Sequence, residues 1–299
     1  MTSLSLPKIS TNVRNFIGLA SLRLGLSATA ALAPAAALAW AERLFITPQR
    51  HDWPAPERQW LAQARLGRLH TAGMPLTRWD GLALQTYRWG EPRRGKVVLM
   101  HGWAGRATQL GYFIEPLVAA GFEVIAIDAP AHGASEGRQA SVLHFANALT
   151  RLIRNEGDVS AVIAHSLGGA ATIYALSQST LPVGRVALIS PSSDLAAYAR
   201  QIGRLLRLSD SLLRRLQARM ETRFGILWRD LEALPRAAGL NQPALVVHDH
   251  ADREVPVATG RNIAATWPGA ELMLTEGLGH RRILRDQAVV ERVVAFVAA

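Results

Sequence analysis

The chain has 299 residues, 49% of them hydrophobic, and a formal net charge of +10 at pH 7. Its length fits one large α/β domain or two small ones, and the absence of cysteine excludes disulfides, thiolate nucleophiles and thiolate metal sites. Nearly all the positive charge is arginine. Because the arginines are spread along the sequence without interleaved aromatic residues, we predict a solvated basic surface and no nucleic-acid partner.

Residues 1–45 form an N-terminal hydrophobic segment. Leu24 to Ala41 carry no charge, and the flanking charged residues are Lys8, Arg14, Arg23, Glu42 and Arg43. Three interpretations stay open: a membrane anchor, which needs about 20 apolar residues, a secretory signal with a core of about 7–15 residues, or a helix packed on the protein. The anchor is favoured, which predicts membrane association, with a cytoplasmic or an exported protein as alternatives.

The next part, residues 46–76, is polar and contains Pro48, Pro54 and Pro56, which predicts a connecting segment. From residue 77 to 299, short apolar runs alternate with helix-like stretches such as 109–120 and 142–155. The runs that read as strands are 82–89, 96–101, 122–128, 160–165, 186–190, 244–249 and 271–275. This alternation predicts an α/β fold with a mostly parallel sheet flanked by helices, whose ligand site lies at the carboxyl ends of the strands.

Polar residues follow the predicted strands at the positions where a site would form. The strand exits read HGWAG (101–105), DAPAHGAS (128–135), HSLGG (165–169), HADREVP (250–256) and EGLGH (276–280). A serine, an aspartate and a histidine therefore follow strands in the chain order expected for a serine nucleophile on an α/β-hydrolase sheet.

The chain from about Arg78 to Ala299 resembles an α/β-hydrolase of the lipase and esterase kind. The nucleophile-elbow pattern G-x-S-x-G is similar to Ala164–Gly168, with alanine in the first glycine position. The loop DAPAHGAS resembles the D-x-x-G-H-G-x-S loop of the family, with Ala131 in a glycine position, and ADREVP resembles the acid turn of the family.

The resemblance implies a role for each site residue. Ser166 is the nucleophile, on a strained turn with positive φ, His280 is the base that takes its proton, and Asp252 is the acid that orients the imidazole. The backbone N–H groups of Trp103 and Leu167 form the oxyanion hole. No cofactor and no metal are expected.

Simpler interpretations compete at several of these positions. Ser166 alone could be a helix N-cap, and Asp249 or Glu254 could replace Asp252 as the acid. Around the nucleophile we predict pocket-lining positions for His101, Gly102, His165 and His132, and the favoured interpretation of His101 and His132 is that they hold loops near the site.

A small helical cap is predicted at about 194–236, where leucines recur at helical spacing. Between Arg200 and Arg236 the sequence has nine arginines against four acidic residues. Together with residues 24–41, this basic cap could contact anionic lipid, or it could favour an acidic substrate.

The function predicted from these motifs is hydrolysis of a carboxylic ester or related acyl bond of a small-molecule substrate, through an acyl-serine intermediate. A peptidase, a thioesterase or a lyase on the same triad are alternatives within enzymes. A non-catalytic binding protein on the same fold is the alternative outside them. The sequence does not specify the acyl group, the leaving group or the oligomeric state.

Overall fold

The computed structural model describes residues 11–71 and 81–299, with side chains from residue 18 onward. The described residues divide into two compact units. The helical unit comprises residues 11–45 and 195–228, and the sheet unit comprises residues 46–71, 81–194 and 229–299. Lys8 and the predicted boundary at residues 76 and 77 lie outside the described residues.

The sheet unit is built on an eight-stranded sheet with the order β1-β2-β4-β3-β5-β6-β7-β8. β2 runs antiparallel to both its neighbours, β1 and β4, and the other neighbouring pairs are parallel. The strands are β1 (Arg65–His70), β2 (Ala83–Trp89), β3 (Lys96–Met100), β4 (Glu123–Ile127), β5 (Val159–His165), β6 (Val183–Ile189), β7 (Ala244–Asp249) and β8 (Glu271–Thr275). The predicted mostly parallel sheet flanked by helices, the α/β-hydrolase fold, is confirmed.

Helices cover this sheet because its central strands are apolar on both faces, as in parallel sheets generally. They are α3 (Ala55–Gln63), α4 (Ile114–Ala119), α5 (Val142–Glu156), α6 (Leu167–Gln178), α9 (Ala233–Ala237), α10 (Val257–Thr266), α11 (Gly279–Arg282) and α12 (Gln287–Ala298), with 3-10 helices at Ala107–Phe113, Trp228–Leu231 and Ile283–Arg285. A buried apolar core that includes Phe113, Phe122 and Phe296 joins the sheet to α4 and α12.

The prediction that residues 46–76 only connect two parts of the chain is wrong for residues 55–70. They form α3 and β1, and β1 extends the sheet by pairing with β2 along its whole length. β1 is an edge strand whose side chains are mostly exposed, so its sequence RLGRLH lacks the apolar alternation that identifies a half-buried strand.

The helical unit contains α1 (Thr11–Leu32), α2 (Pro34–Ile46), α7 (Leu195–Leu206) and α8 (Asp210–Phe224). α1 ends just before Pro34, because proline cannot continue the backbone hydrogen-bonding of a helix. Beyond this break the chain folds back, and a Cβ at Gly25 would lie 2.8 Å from the Trp40 ring. Residues 24–41 therefore form parts of two packed helices.

Contacts between distant parts of the sequence hold the helical unit together. Glu42 of α2 is almost fully buried and forms ion pairs with Arg219 and Arg223 of α8. The Phe45 ring stacks on Trp228 with centroids 5.7 Å apart. Searching the described residues, we find no helix whose length and hydropathy suffice to cross a bilayer.

The region predicted to be a cap is helical, as expected from its leucine spacing. Residues 195–228 contribute α7 and α8 to the helical unit, whereas α9 belongs to the sheet unit. That this region covers the site stays a prediction.

Candidate active site

Ser166 lies at the turn between β5 and α6, at the carboxyl end of the sheet. Its backbone has φ +52° and ψ −119°, a strained conformation for a residue with a Cβ. Backbone hydrogen bonds fix it from both sides, since its N–H donates to Ile189 and its carbonyl accepts from Ser192. Its hydroxyl accepts no capping hydrogen bond from α6, so the simple N-cap interpretation is wrong.

The small residues around this turn allow a close approach to β3. A Cβ at Gly168 would lie 2.5 Å from the carbonyl oxygen of His101, so only glycine fits there. Ala164, in the first elbow position, is fully buried and pairs in register with Met100 and Leu188. The fold therefore accommodates the methyl group of Ala164 at the position where the family pattern has glycine.

Ser166, His280 and Asp252 form one hydrogen-bonded chain. The His280 Nε2 atom lies 3.0 Å from the Ser166 Oγ atom, and Nδ1 lies 2.7 Å from an Asp252 carboxylate oxygen. An ionised carboxylate only accepts hydrogen bonds, so Nδ1 carries the proton and the Nε2 lone pair faces the hydroxyl. This geometry allows the imidazole to receive the serine proton.

Asp252 has a second histidine partner that the sequence did not indicate. The fully buried His248 donates from Nε2 to the Val255 carbonyl, 3.0 Å away, and the same atom lies 3.4 Å from Asp252. Burial raises the pKa of Asp252, but hydrogen bonds from His248, His280 and the Val255 N–H together hold it well below its usual range. Asp252 is therefore a fixed negative charge behind His280.

Asp249, the alternative acid, makes different contacts. Its carboxylate accepts hydrogen bonds from the backbone N–H groups of Ala251, Leu278 and Gly279 and from the Thr275 hydroxyl. It thereby joins the loop that carries Asp252 to the loop that carries His280, without contacting the imidazole. Glu254, the other alternative, forms an exposed ion pair with Arg281.

The loop after β3 lies directly against the nucleophile. A Cβ at Gly102 would lie 2.9 Å from the Ser166 Cβ. Trp103, the next residue, therefore begins close to the Ser166 side chain. In the part of the chain that the structure describes, neither the Trp103 nor the Leu167 backbone N–H has a hydrogen-bond acceptor. Two N–H donors are therefore available near the Ser166 hydroxyl.

The histidines around the nucleophile are buried and make hydrogen bonds with backbone groups, and their predicted pocket-lining role stays a prediction. His101 accepts from the Ala129 N–H, and His132 accepts from the Ala104 N–H. His165 Nε2 donates to the carbonyl oxygen of His280, 2.9 Å away, and the two rings lie 4.7 Å apart. These three side chains hold the loops of the site.

The DAPAHGAS loop is organised around Asp128. This fully buried carboxylate accepts from the Ala107 N–H, the Ala134 N–H and the Tyr87 hydroxyl. Ala131 has φ +67°, which explains why glycine is the expected residue at this position. Arg50, from the segment before α3, donates to two carbonyl oxygens of the same loop and to that of Gly137, just beyond it.

Helix α3 contributes a further support that sequence reasoning missed. Glu57 binds both Arg106 and the Thr108 hydroxyl, just beyond the HGWAG loop, with 2.7 Å between Arg106 Nη2 and Glu57 Oε1. Trp60 packs so closely on the following 3-10 helix that a Cβ at Gly111 would overlap its ring. Only the pairing of charges 49 residues apart could have indicated this contact.

A cavity of about 500 Å³ borders His280. Its lining includes Arg253, Glu254 and Arg282 as well as backbone of the loops on either side. The charged side chains that border this cavity are thus two arginines and one glutamate, besides His280 itself.

The buried histidines predict an acid-sensitive fold. Burial lowers the pKa of His101 to about 4 and that of His132 and His165 to about 3. The ordinary pKa of histidine is 6.5. As the pH falls below 6.5, these imidazoles bind protons in the unfolded chain but not in the folded one. Their stabilising contribution is therefore complete above pH 6.5 and is lost as the pH falls. We expect the free energy of unfolding, measured by urea denaturation, to be roughly 4 kcal/mol lower at about pH 5.5 than at about pH 7.5.

A control for this effect is His70→Gln, because His70 is exposed and its replacement should leave the pH difference unchanged. His132→Gln should instead reduce the difference by about 1.4 kcal/mol. Equal unfolding free energies at the two pH values would contradict the assignment of three neutral buried imidazoles.

Residues 91–237 match the family model described as "Serine aminopeptidase, S33". The matched region contains the Ser166 turn and the HGWAG and DAPAHGAS loops, and it ends before Asp252 and His280. Among curated proteins, none is similar enough in sequence to match the chain.

Solved structures share the fold at low sequence identity. The monoacylglycerol lipase of Paleococcus ferrophilus is 24% identical with a TM-score of 0.58, covering 72% of this chain and 98% of its own. An esterase of Exiguobacterium antarcticum is 17% identical with a TM-score of 0.56, covering 75% and 98%. A bacterial membrane phospholipase A is 18% identical with a TM-score of 0.60, covering 95% and 97%.

Proposed function

We propose that the chain is a hydrolase of the α/β-hydrolase superfamily and that it cleaves carboxylic esters through an acyl intermediate on Ser166. The observation that carries the proposal is the hydrogen-bonded chain from the Ser166 hydroxyl through His280 to Asp252. A neutral serine is a weak nucleophile and needs such an adjacent base.

In the first half of the proposed reaction, Ser166 Oγ attacks the ester carbonyl while its proton moves to His280 Nε2. The Trp103 and Leu167 N–H groups donate to the oxygen that becomes negative, and Asp252 stabilises the imidazolium. His280 then gives the proton to the alkoxide as the carbon–oxygen bond breaks, which releases the alcohol and leaves acyl-Ser166.

In the second half, His280 removes a proton from a water molecule that attacks the acyl carbon. The tetrahedral intermediate collapses, His280 returns the proton to Ser166 Oγ, and the carboxylic acid leaves.

An ester is favoured over a peptide with a free N-terminus, although the family model is described as a serine aminopeptidase. An aminopeptidase must bind the ammonium group of its substrate, which requires unpaired carboxylates beside the nucleophile. The carboxylates on the two loops that carry the acid and the base already have partners: Glu254 pairs with Arg281, Asp252 with His280, and Asp249 with backbone N–H groups. Lipases and esterases among the structural neighbours support the same choice.

A fluorophosphonate probe tests the nucleophile, and matched substrates test the ester. We expect the probe to label the full chain and not Ser166→Ala, because phosphonylation needs an activated hydroxyl. The unlabelled chain should hydrolyse p-nitrophenyl esters in preference to aminoacyl p-nitroanilides. A series of acyl lengths would then define the acyl group.

The control is Ser192→Ala, which removes a hydroxyl close to the site while keeping the backbone hydrogen bond to the Ser166 carbonyl. This variant should label like the unmodified chain. Labelling of Ser166→Ala, or no labelling of either protein, would overturn the proposal, and a preference for the anilides would favour the aminopeptidase.

A further inference from the structure

The positive charge of the chain is concentrated in the helical unit, which combines most of the basic cap with residues 11–45. Residues 11–45 and 195–228 contain ten arginines against three acidic residues, a net charge of +7 out of +10 for the whole chain. The two segments are 149 residues apart in sequence, so arginines that read as scattered come together only on folding. The helical unit therefore carries most of the net positive charge of the chain.

Ion pairs within the helical unit do not neutralise this charge. Glu42 lies between Arg219 and Arg223, and Glu221 accepts hydrogen bonds from Gln217 and the Trp228 N–H. The helical unit thus has an excess of exposed guanidinium groups. A surface of this kind attracts anions at long range and binds phosphate groups at contact.

Exposed leucines lie among these arginines. The Arg23 Nε atom donates to the Leu205 carbonyl, 2.8 Å away, which brings Leu24 of α1 beside the end of α7. Leu24 is 72% exposed and Leu205 is 48% exposed, and Arg204 and Arg207 flank Leu205 in sequence.

The start of α8 lies beside the same end of α7. A Cβ at Gly203 would lie 2.5 Å from a methyl group of Leu213, and Arg214, the next residue, is exposed. We call the resulting surface the arginine–leucine patch, and it consists of Arg23, Leu24, Arg204, Leu205, Arg207 and Arg214.

We propose that the arginine–leucine patch binds the surface of an anionic lipid bilayer. Arginines bind lipid phosphates while leucines enter the boundary of the acyl chains, the combination that interfacial helices use. A nucleic acid fits less well, because the exposed large apolar side chains of the described helical unit are all leucines, and stacking on bases needs aromatic rings. The proposal does not depend on the proposed esterase activity.

Flotation of the full chain with lipid vesicles tests the proposal. We expect binding to phosphatidylcholine vesicles that contain phosphatidylglycerol, weaker binding to phosphatidylcholine alone, and a decrease at high salt. The variant Arg204→Gln/Arg207→Gln/Arg214→Gln should lower partition onto the anionic vesicles by about 100-fold. Leu24→Ser/Leu205→Ser should lower partition onto both kinds of vesicle.

The matched control is Arg68→Gln/Arg154→Gln/Arg285→Gln, which removes three exposed arginines from the sheet unit for the same change in net charge. It should lower partition by less than about threefold. Equal losses in the two triple variants, equal binding to neutral and anionic vesicles, or tighter binding to a DNA duplex than to either would overturn the proposal. Circular dichroism of each variant verifies the helices, and no readout involves hydrolysis.

Discussion

Replacing Ser166 with alanine is expected to lower kcat for a p-nitrophenyl ester by roughly 10⁴- to 10⁶-fold, and adding His280→Ala should lower it little further. The reason is that each proton transfer by Nε2 of His280, 3.0 Å from the Ser166 hydroxyl, serves the formation or the breakdown of acyl-Ser166. Once the nucleophile is gone, the base has no proton to take. Steady-state kinetics of both single variants and the double variant measure this lack of additivity.

A matched control for this cycle is His250→Ala. His250 lies close to Asp252 in sequence but is directed toward Glu276, 3.5 Å away, rather than toward the serine. Its replacement should change kcat by less than about threefold. Losses that multiply between Ser166→Ala and His280→Ala would mean that the two residues act separately, and the proposed acyl-serine mechanism would then be wrong.

The strand exits could be predicted because buried parallel strands are short apolar runs, and the polar residues that follow them meet at one edge of the sheet. For this reason the sequence alone predicted that Ser166, Asp252 and His280 lie together at one edge of the sheet. The exposed edge strand β1 could not be predicted in this way, since its side chains face solvent and carry no apolar pattern.

The long-range contacts within the site and within the helical unit also could not be predicted. His248 and Asp252 are on opposite sides of a turn, and only the folded turn brings the His248 ring next to the Asp252 carboxylate. Glu42 and Arg219 are 177 residues apart, and nothing in either local sequence indicates their pairing. Sequence patterns report local burial, whereas these ion pairs and hydrogen bonds depend on how distant elements pack.

The two aspartates after β7 should separate activity from stability. Asp252→Asn is expected to lower kcat by about 10⁴-fold, because an amide in place of the carboxylate neither fixes the Nδ1 proton nor stabilises the imidazolium. The loss of Nδ1 orientation should leave substrate binding nearly unchanged, so KM is expected to stay within a few-fold. Steady-state kinetics and urea unfolding of the variant measure the two quantities.

Asp249→Asn is the matched comparison, with the same change of atoms three residues earlier. Asp249 accepts from three backbone N–H groups and a hydroxyl but not from His280, so its replacement should lower the free energy of unfolding by about 2–4 kcal/mol. The folded variant should keep a kcat at least about 100-fold above that of Asp252→Asn. A larger loss of kcat in Asp249→Asn than in Asp252→Asn would transfer the acid role to Asp249, whereas the predicted result assigns catalysis to Asp252 and loop closure to Asp249.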